Sequence, residues 1–102
     1  MNVLISGQFD INKLINLNFD LKKCIIYVVG NNEVIPYCRS NNIDYVQEEP
    51  NWEEGIGAAY SATNLLLDNK PDLVIIFDNG EKYSRSIREK SLEMELNTLI
   101  LY

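Results

Sequence analysis

The chain of 102 residues contains no histidine. This removes the side chain that most often moves protons near neutral pH and the commonest nitrogen ligand for zinc. Cations are scarce as well: 9 Lys and Arg stand against 15 Asp and Glu, for a net charge of −6. Affinity for nucleic acid rests on basic side chains neutralising phosphates, so this balance argues against DNA or RNA as a partner. Cysteine is limited to Cys24 and Cys38. They fall in a predicted strand and a predicted helix and read as small buried hydrophobes in a reducing cytosol. No metal site and no cofactor are expected. No basic segment precedes a long apolar run, so neither a signal peptide nor a membrane span is expected, and the chain reads as cytoplasmic.

What is present is an ordinary globular composition, 46% hydrophobic and 24% charged. The length suits one domain, 1–102. A chain of this size buries roughly 60–65% of its unfolded surface, so association into a dimer or larger homo-oligomer would add to a modest core.

The strongest signal is Pro71–Ser84. Leu73–Phe77 is a continuous apolar run, bounded by Pro71 and Asp72 on one side and by Asp78-Asn79-Gly80 on the other. A short run rich in β-branched residues predicts a strand buried on both faces, hence the central strand of a parallel sheet. The turn after it is small and polar, and a helix follows. Unpaired N–H groups of a first helical turn can receive an anion. Taken alone, Asn79-Gly80 is more simply a tight turn.

In chain order, Asn2–Ser6 predicts a first strand ending at Gly7. Asp10 can cap a short helix with Ile11, Leu14 and Ile15 on one face. Asn16–Lys23 is irregular. Cys24–Val29 predicts a second buried strand ending at Gly30, and Asn31-Asn32 opens a helix with Pro36 in its first turn. Asp44–Gln47 predicts a short edge strand. Asn51 and Glu54 have capping-box spacing and start the longest helix, Trp52–Leu67, with Ile56, Ala59, Thr63 and Leu66 inward. The last helix, Ser84–Glu95, places Ile87, Ser91 and Met94 inward, and Leu99–Tyr102 closes the chain as a strand. The expected architecture is α/β: a single Rossmann-like three-layer domain with a five-stranded, mainly parallel sheet, βαβαβαβαβ. In such sheets ligands sit at the carboxyl ends of the strands where the winding reverses. If the first and fourth strands are neighbours, Gly7 and Asp78–Gly80 face one crevice.

Candidate site residues follow from that placement, each with a plainer alternative. Ser6-Gly7 with Gln8 and Asp10 can bring backbone close to a ligand, or simply turn the chain. Lys82, Arg85 and Arg88 gather at a helix start, where cations oppose the dipole; they suit either a bound anion or a solvated face with an Arg85–Glu89 pair. Trp52 and Tyr60 can stack on a ring or fill core. Asn64, in an apolar helical stretch, needs a hydrogen-bond partner, backbone or ligand. Asp10 and Asp78 can form an acid–base pair or serve as cap and turn residues.

These motifs resemble the SLOG superfamily, Rossmann-like domains named for the DNA-processing protein Smf/DprA and the Lonely Guy cytokinin enzymes, and within it the small YspA-like branch. The branch opens with a strand and Thr-Gly-Gly-Arg-Asp; here the segment is Ser6-Gly7-Gln8-Phe9-Asp10. Its long helix runs from Trp to Arg-Asn; Trp52 and Asn64 keep the spacing, with Thr63 in place of Arg. Its fourth strand ends Phe-x-Gly-Gly-x-Gly-Thr; here Phe77-Asp78-Asn79-Gly80 continues to Tyr83-Ser84. The second glycine-rich loop is reduced to Gly30-Asn31-Asn32, and Ile87 stands where the related hydrolases keep a catalytic glutamate. The resemblance implies non-catalytic binding, as sensing or sequestration, of a nucleotide-derived small molecule such as an ADP-ribose-like or cyclic nucleotide signal, in the setting of conflict between phage and bacterium. The implied ligand contacts are Ser6, Gly7, Gln8, Asp10, Gly30, Asn31, Trp52, Asn64, Asp78, Asn79, Gly80, Lys82, Tyr83, Ser84 and Arg85. The alternatives are a nucleotide N-glycosidase with rearranged residues and an interaction subunit with a decayed pocket.

Tyrosine is enriched at protein interfaces, and Tyr37, Tyr60 and Tyr102 are candidates for one. Sedimentation at micromolar concentration is expected to show a dimer or larger species; a monomer near 11.7 kDa alone would contradict this.

Overall fold

Five strands pair side by side, all in parallel, in the spatial order Tyr45–Glu48, Ile25–Val29, Asn2–Gly7, Leu73–Phe77, Thr98–Leu101. The computed structural model describes all of residues 1–102 except Asn16 and Asn18, and the side chain of Ile56 also lies outside the description. The strands are β1 (Asn2–Gly7), β2 (Ile25–Val29), β3 (Tyr45–Glu48), β4 (Leu73–Phe77) and β5 (Thr98–Leu101). The α-helices are α1 (Val34–Ser40), α2 (Ala58–Asp68) and α3 (Lys82–Glu93). This is the expected α/β domain with Rossmann-like layering.

Alternation along the inner strands builds two apolar layers. Val3, Ile5, Ile26, Val28, Ile75 and Phe77 face one way, against Leu14, Leu21 and the Val34, Ile35 and Cys38 face of α1. Leu4, Val74 and Ile76 face the other, against Leu66 and Leu67 of α2 and Ile87 of α3. The buried side chains of β1 and β4 therefore serve both layers, which is why their sequences read as unbroken apolar runs.

Three expectations are corrected. The middle strand of the sheet is β1; Leu73–Phe77 is interior, flanked by β1 and β5. The edge position expected for the third strand holds. Among its described residues the first connection has no α-helix but two 3₁₀ turns, Ile11–Lys13 and Leu21–Lys23. Asp10 and Asp20 cap these turns, each accepting an N–H two residues on, from Asn12 and Lys22 (both 3.0 Å). Ile15, expected inward, is exposed.

The long helix from Trp52 is also broken. Asn51 caps a 3₁₀ segment, Trp52–Gly57, by accepting the Glu53 N–H at 3.2 Å. Gly55 then adopts φ 80° and ψ −147°, a conformation open essentially to glycine alone, and α2 begins only at Ala58. Trp52 is left exposed. Tyr37 packs on Phe9 and Tyr60 on Tyr83, both half-buried, so of the three candidate interface tyrosines Tyr102 alone is exposed. The expected inward side chain of Ile56 lies outside the described residues.

Gly7 ends β1 opposite Phe77 of β4, with φ +88°. A β-carbon there would sit 2.1 Å from the Phe77 carbonyl oxygen. At Gly55 the backbone is equally unusual but a β-carbon meets nothing within 4 Å. Gly55→Ala should therefore cost only the backbone term, about 1–3 kcal/mol. Gly7→Ala should add overpacking against a carbonyl that cannot move, for roughly 3–6 kcal/mol in all. Urea denaturation of the two variants beside the parent checks the order; equal losses would contradict it.

Candidate functional site

The winding of the sheet reverses between β1 and β4, because the connections leaving β1 and β2 cover one face and α2 and α3 cover the other. A cleft of about 250 Å³ opens there, at the carboxyl ends of the strands. Ser6, Gly7 and Gln8 line it from the end of β1, and Asn31 and Asn32 from the end of β2. Asn79, Glu81, Tyr83 and Ser84 come from the turn after β4 and the start of α3, and Thr63 closes it from α2.

The loops are pinned by local bonds. Asn32 donates from Nδ2 to the Gly7 carbonyl at 3.0 Å and accepts the Val34 N–H at 2.9 Å, tying the β1 end to the start of α1. Asp78 accepts the Gly80 N–H at 2.8 Å and faces the Arg88 guanidinium at 3.5 Å. Asn79 accepts the Glu81 N–H at 3.3 Å. Glu81 precedes α3 with extended backbone and no side-chain cap, and the first helical N–H to return to it is that of Arg85, at 3.2 Å. The N–H groups of the first turn, Lys82 to Ser84, thus precede the internal ladder of α3 and lie beside the cleft.

On the α2 side the hydroxyls of Thr63 and Tyr83 hydrogen-bond each other, and Thr63 also donates to the Ala59 carbonyl at 2.9 Å. The Tyr83 ring meets Tyr60 edge-on, 4.9 Å between centroids. Burial pushes the Tyr83 phenol above the ordinary tyrosine value, the Thr63 bond pulling the other way and Tyr60 adding to the rise. Tyr83 therefore stays protonated near neutral pH. Burial likewise pushes the Cys24 and Cys38 thiols up, which leaves both unreactive there.

Of the residues singled out from sequence, the fold brings Ser6, Gly7, Gln8, Asn31, Asn79, Tyr83 and Ser84 into this cleft. The others stand elsewhere. Asp10 caps its 3₁₀ turn. Gly30 spends its backbone on the sheet edge, donating to the Glu48 carbonyl at 2.8 Å and accepting from Gln47 at 3.0 Å. Trp52 and Asn64 face solvent, while Thr63, beside Asn64, is the buried polar residue. Asp78 is buried behind its turn, and the Asp10–Asp78 pair gives way to these separate local partners. Gly80, Lys82 and Arg85 are exposed and outside the cleft lining, and Arg88 pairs with Asp78, so no Lys or Arg lines the cleft among the described residues.

Asn32 and Glu81 were missed as site residues. Asn32 was legible as a helix opener, and its second bond, to Gly7, spans 25 residues and needs the fold. Glu81 is masked in sequence by the basic residues that follow it.

Searches against family models, curated proteins and solved structures return no match to this chain. Among the described residues no helix is long and apolar enough to cross a membrane.

A raised phenol pKa is a stability statement with a definite sign. The protonated form is favoured in the folded state, so this contribution is fully present below about pH 10, the ordinary tyrosine value, and is lost as pH rises through the folded value. Tyr83→Phe should cost about 0.5–1.5 kcal/mol at pH 7, one net hydrogen bond. Its stability should fall less steeply than the parent's above pH 10. Urea midpoints at both pH values check this; parallel losses would contradict it.

Proposed function

We propose that the chain binds a nucleotide-derived small molecule in the cleft between β1 and β4 and holds it without turnover. The observation that carries this reading is a polar cleft at the reversal point of a parallel sheet, beside the first turn of α3, which has no side-chain cap. Helix N–H groups and the positive end of the dipole receive phosphate without needing a cation, which suits a cleft that no Lys or Arg lines. Ser6, Gln8, Asn31, Asn79 and Ser84 offer hydroxyl and amide groups to a sugar or base, and the candidates are ADP-ribose-like molecules and cyclic nucleotides. Capture rather than catalysis is supported by what nucleophilic chemistry requires. Ser6 and Ser84 line the cleft with no histidine in the chain to activate them. Ile87, at the position where the resembled hydrolases carry glutamate, is 3% exposed and packed in the apolar layer under α3. Capture of this kind serves sensing or sequestration, and a homo-oligomer would present several such clefts.

One observation favours a second reading, cleavage of an N-glycosidic bond: Glu81, a carboxylate residue, lines the cleft.

The two readings separate in one experiment. The protein is incubated with ADP-ribose, its cyclic isomers and cyclic dinucleotides, washed, and unfolded by heat. Intact ligand released at about one per chain is expected, with Glu81→Gln releasing intact ligand as well. Free base in molar excess over protein, abolished by Glu81→Gln, would establish the glycosidase instead. Absence of any bound ligand across the panel would remove the capture reading for these classes.

A further inference from the structure

The second face of the sheet is incompletely covered. The α2–α3 layer packs on Leu4, Val74 and Ile76, with Tyr27 and Val29 of β2 at its margin. Val46, the register partner of Tyr27 on β3, packs in neither apolar layer and is 38% exposed. Ile25, on the same side of β2 as Tyr27 by strand alternation, is also 38% exposed. Leu65 on the flank of α2 is 67% exposed. Between α2 and the segment that leaves the end of β3, Glu48 to Glu54, runs a groove of about 400 Å³, walled by Ala58, Ala62, Leu65 and Leu66. It meets a smaller hollow of about 140 Å³ over Leu4 and Tyr27, which shares Leu66 and Asn69 with it.

The groove has a consistent charge. Glu48, Glu49 and Glu54 line it, and no Lys or Arg lines either hollow among the described residues. Its wall carries small residues, Ala58, Ser61 and Ala62, which let another backbone approach at helix-packing distance.

We propose that this groove docks an amphipathic helix of a partner protein, one with an apolar row flanked by Lys and Arg. Such a helix would lie over β2 and β3 alongside α2 and complete the second layer of the sheet, burying Val46, Ile25 and Leu65. Its cations would meet the three glutamates at the rim. A second copy of this chain fits poorly. A two-fold contact with its axis through the groove would lay the groove against itself and leave it unfilled. The basic helix of the chain, α3, exposes Lys82 and Arg85 together with Glu89 and Glu93, and docking it would be a head-to-tail contact that need not close.

The test titrates the isotope-labelled full chain with a synthetic helix of Leu and Lys in helical periodicity. Controls are a Leu and Glu counterpart and a scrambled Leu and Lys peptide that cannot form an apolar face. The expected result is amide shifts confined to Ile25, Tyr27, Val46, Ala62 and Leu65, from the Leu–Lys helix alone. Leu65→Lys, at an exposed position that leaves the core intact, should weaken binding about tenfold or more, the loss typical of an interface anchor. Joint Glu48→Gln, Glu49→Gln and Glu54→Gln should weaken it severalfold and flatten its salt dependence. Equal binding of the scrambled peptide, shifts mapping to the cleft at the strand ends, or indifference to Leu65→Lys would overturn the proposal. So would dilution-dependent shifts of Val46 and Leu65 in the free chain, which would give the groove to a second copy.

Discussion

At the carboxyl ends of β1 and β4 the two backbones run so close that no β-carbon fits between them. Gly7 stands against the Phe77 carbonyl, and everything around the cleft depends on that contact. It brings the end of β1 beside the turn after β4, and these two strands lie where the sheet changes its covering face from α1 to α2 and α3. A larger residue at position 7 would wedge the strands apart where the cleft forms. The glycine is thus first a packing requirement, and the accessible backbone at the cleft floor is its consequence.

The charges are arranged to stay out of this opening. Arg88 is drawn back to the buried Asp78, 3.5 Å away, and Lys82 and Arg85 stand in solvent. For the proposed ligand, attraction of an anion would fall to the N–H groups and dipole of α3 rather than to side chains. Such a site would be weaker in reach but fixed in direction, because backbone donors do not change rotamer. Thr63 and Tyr83 hold the opposite wall through a hydroxyl pair braced by the Tyr60 ring. Acidic side chains gather instead at the far side of α2, along the groove beside β3. One small domain therefore carries two concave surfaces of different chemistry, a polar one at the strand ends and an apolar, acid-rimmed one on the sheet face.

The sequence by itself determined the architecture, since unbroken apolar runs such as Leu73–Phe77 fold in few ways other than as strands covered on both sides. The strand ends followed, and with them Ser6, Gln8, Asn31, Asn79 and Ser84, because a parallel sheet places all its carboxyl ends at one edge. Periodicity misled at two places: Asp10 caps a single 3₁₀ turn where a first helix was expected, and Gly55 splits the expected long helix. Tertiary structure alone decided which polar residues face inward. Neighbours on a helix point about 100° apart, so the phase of α2 buries Thr63 and exposes Asn64, and only packing on the sheet sets that phase. Tertiary structure also decided that Arg88 neutralises Asp78, that Glu81 rather than Lys82 lines the cleft, and that Val46 lacks a covering helix. Each of these depends on the relative placement of separate elements, which residue spacing along one element does not encode.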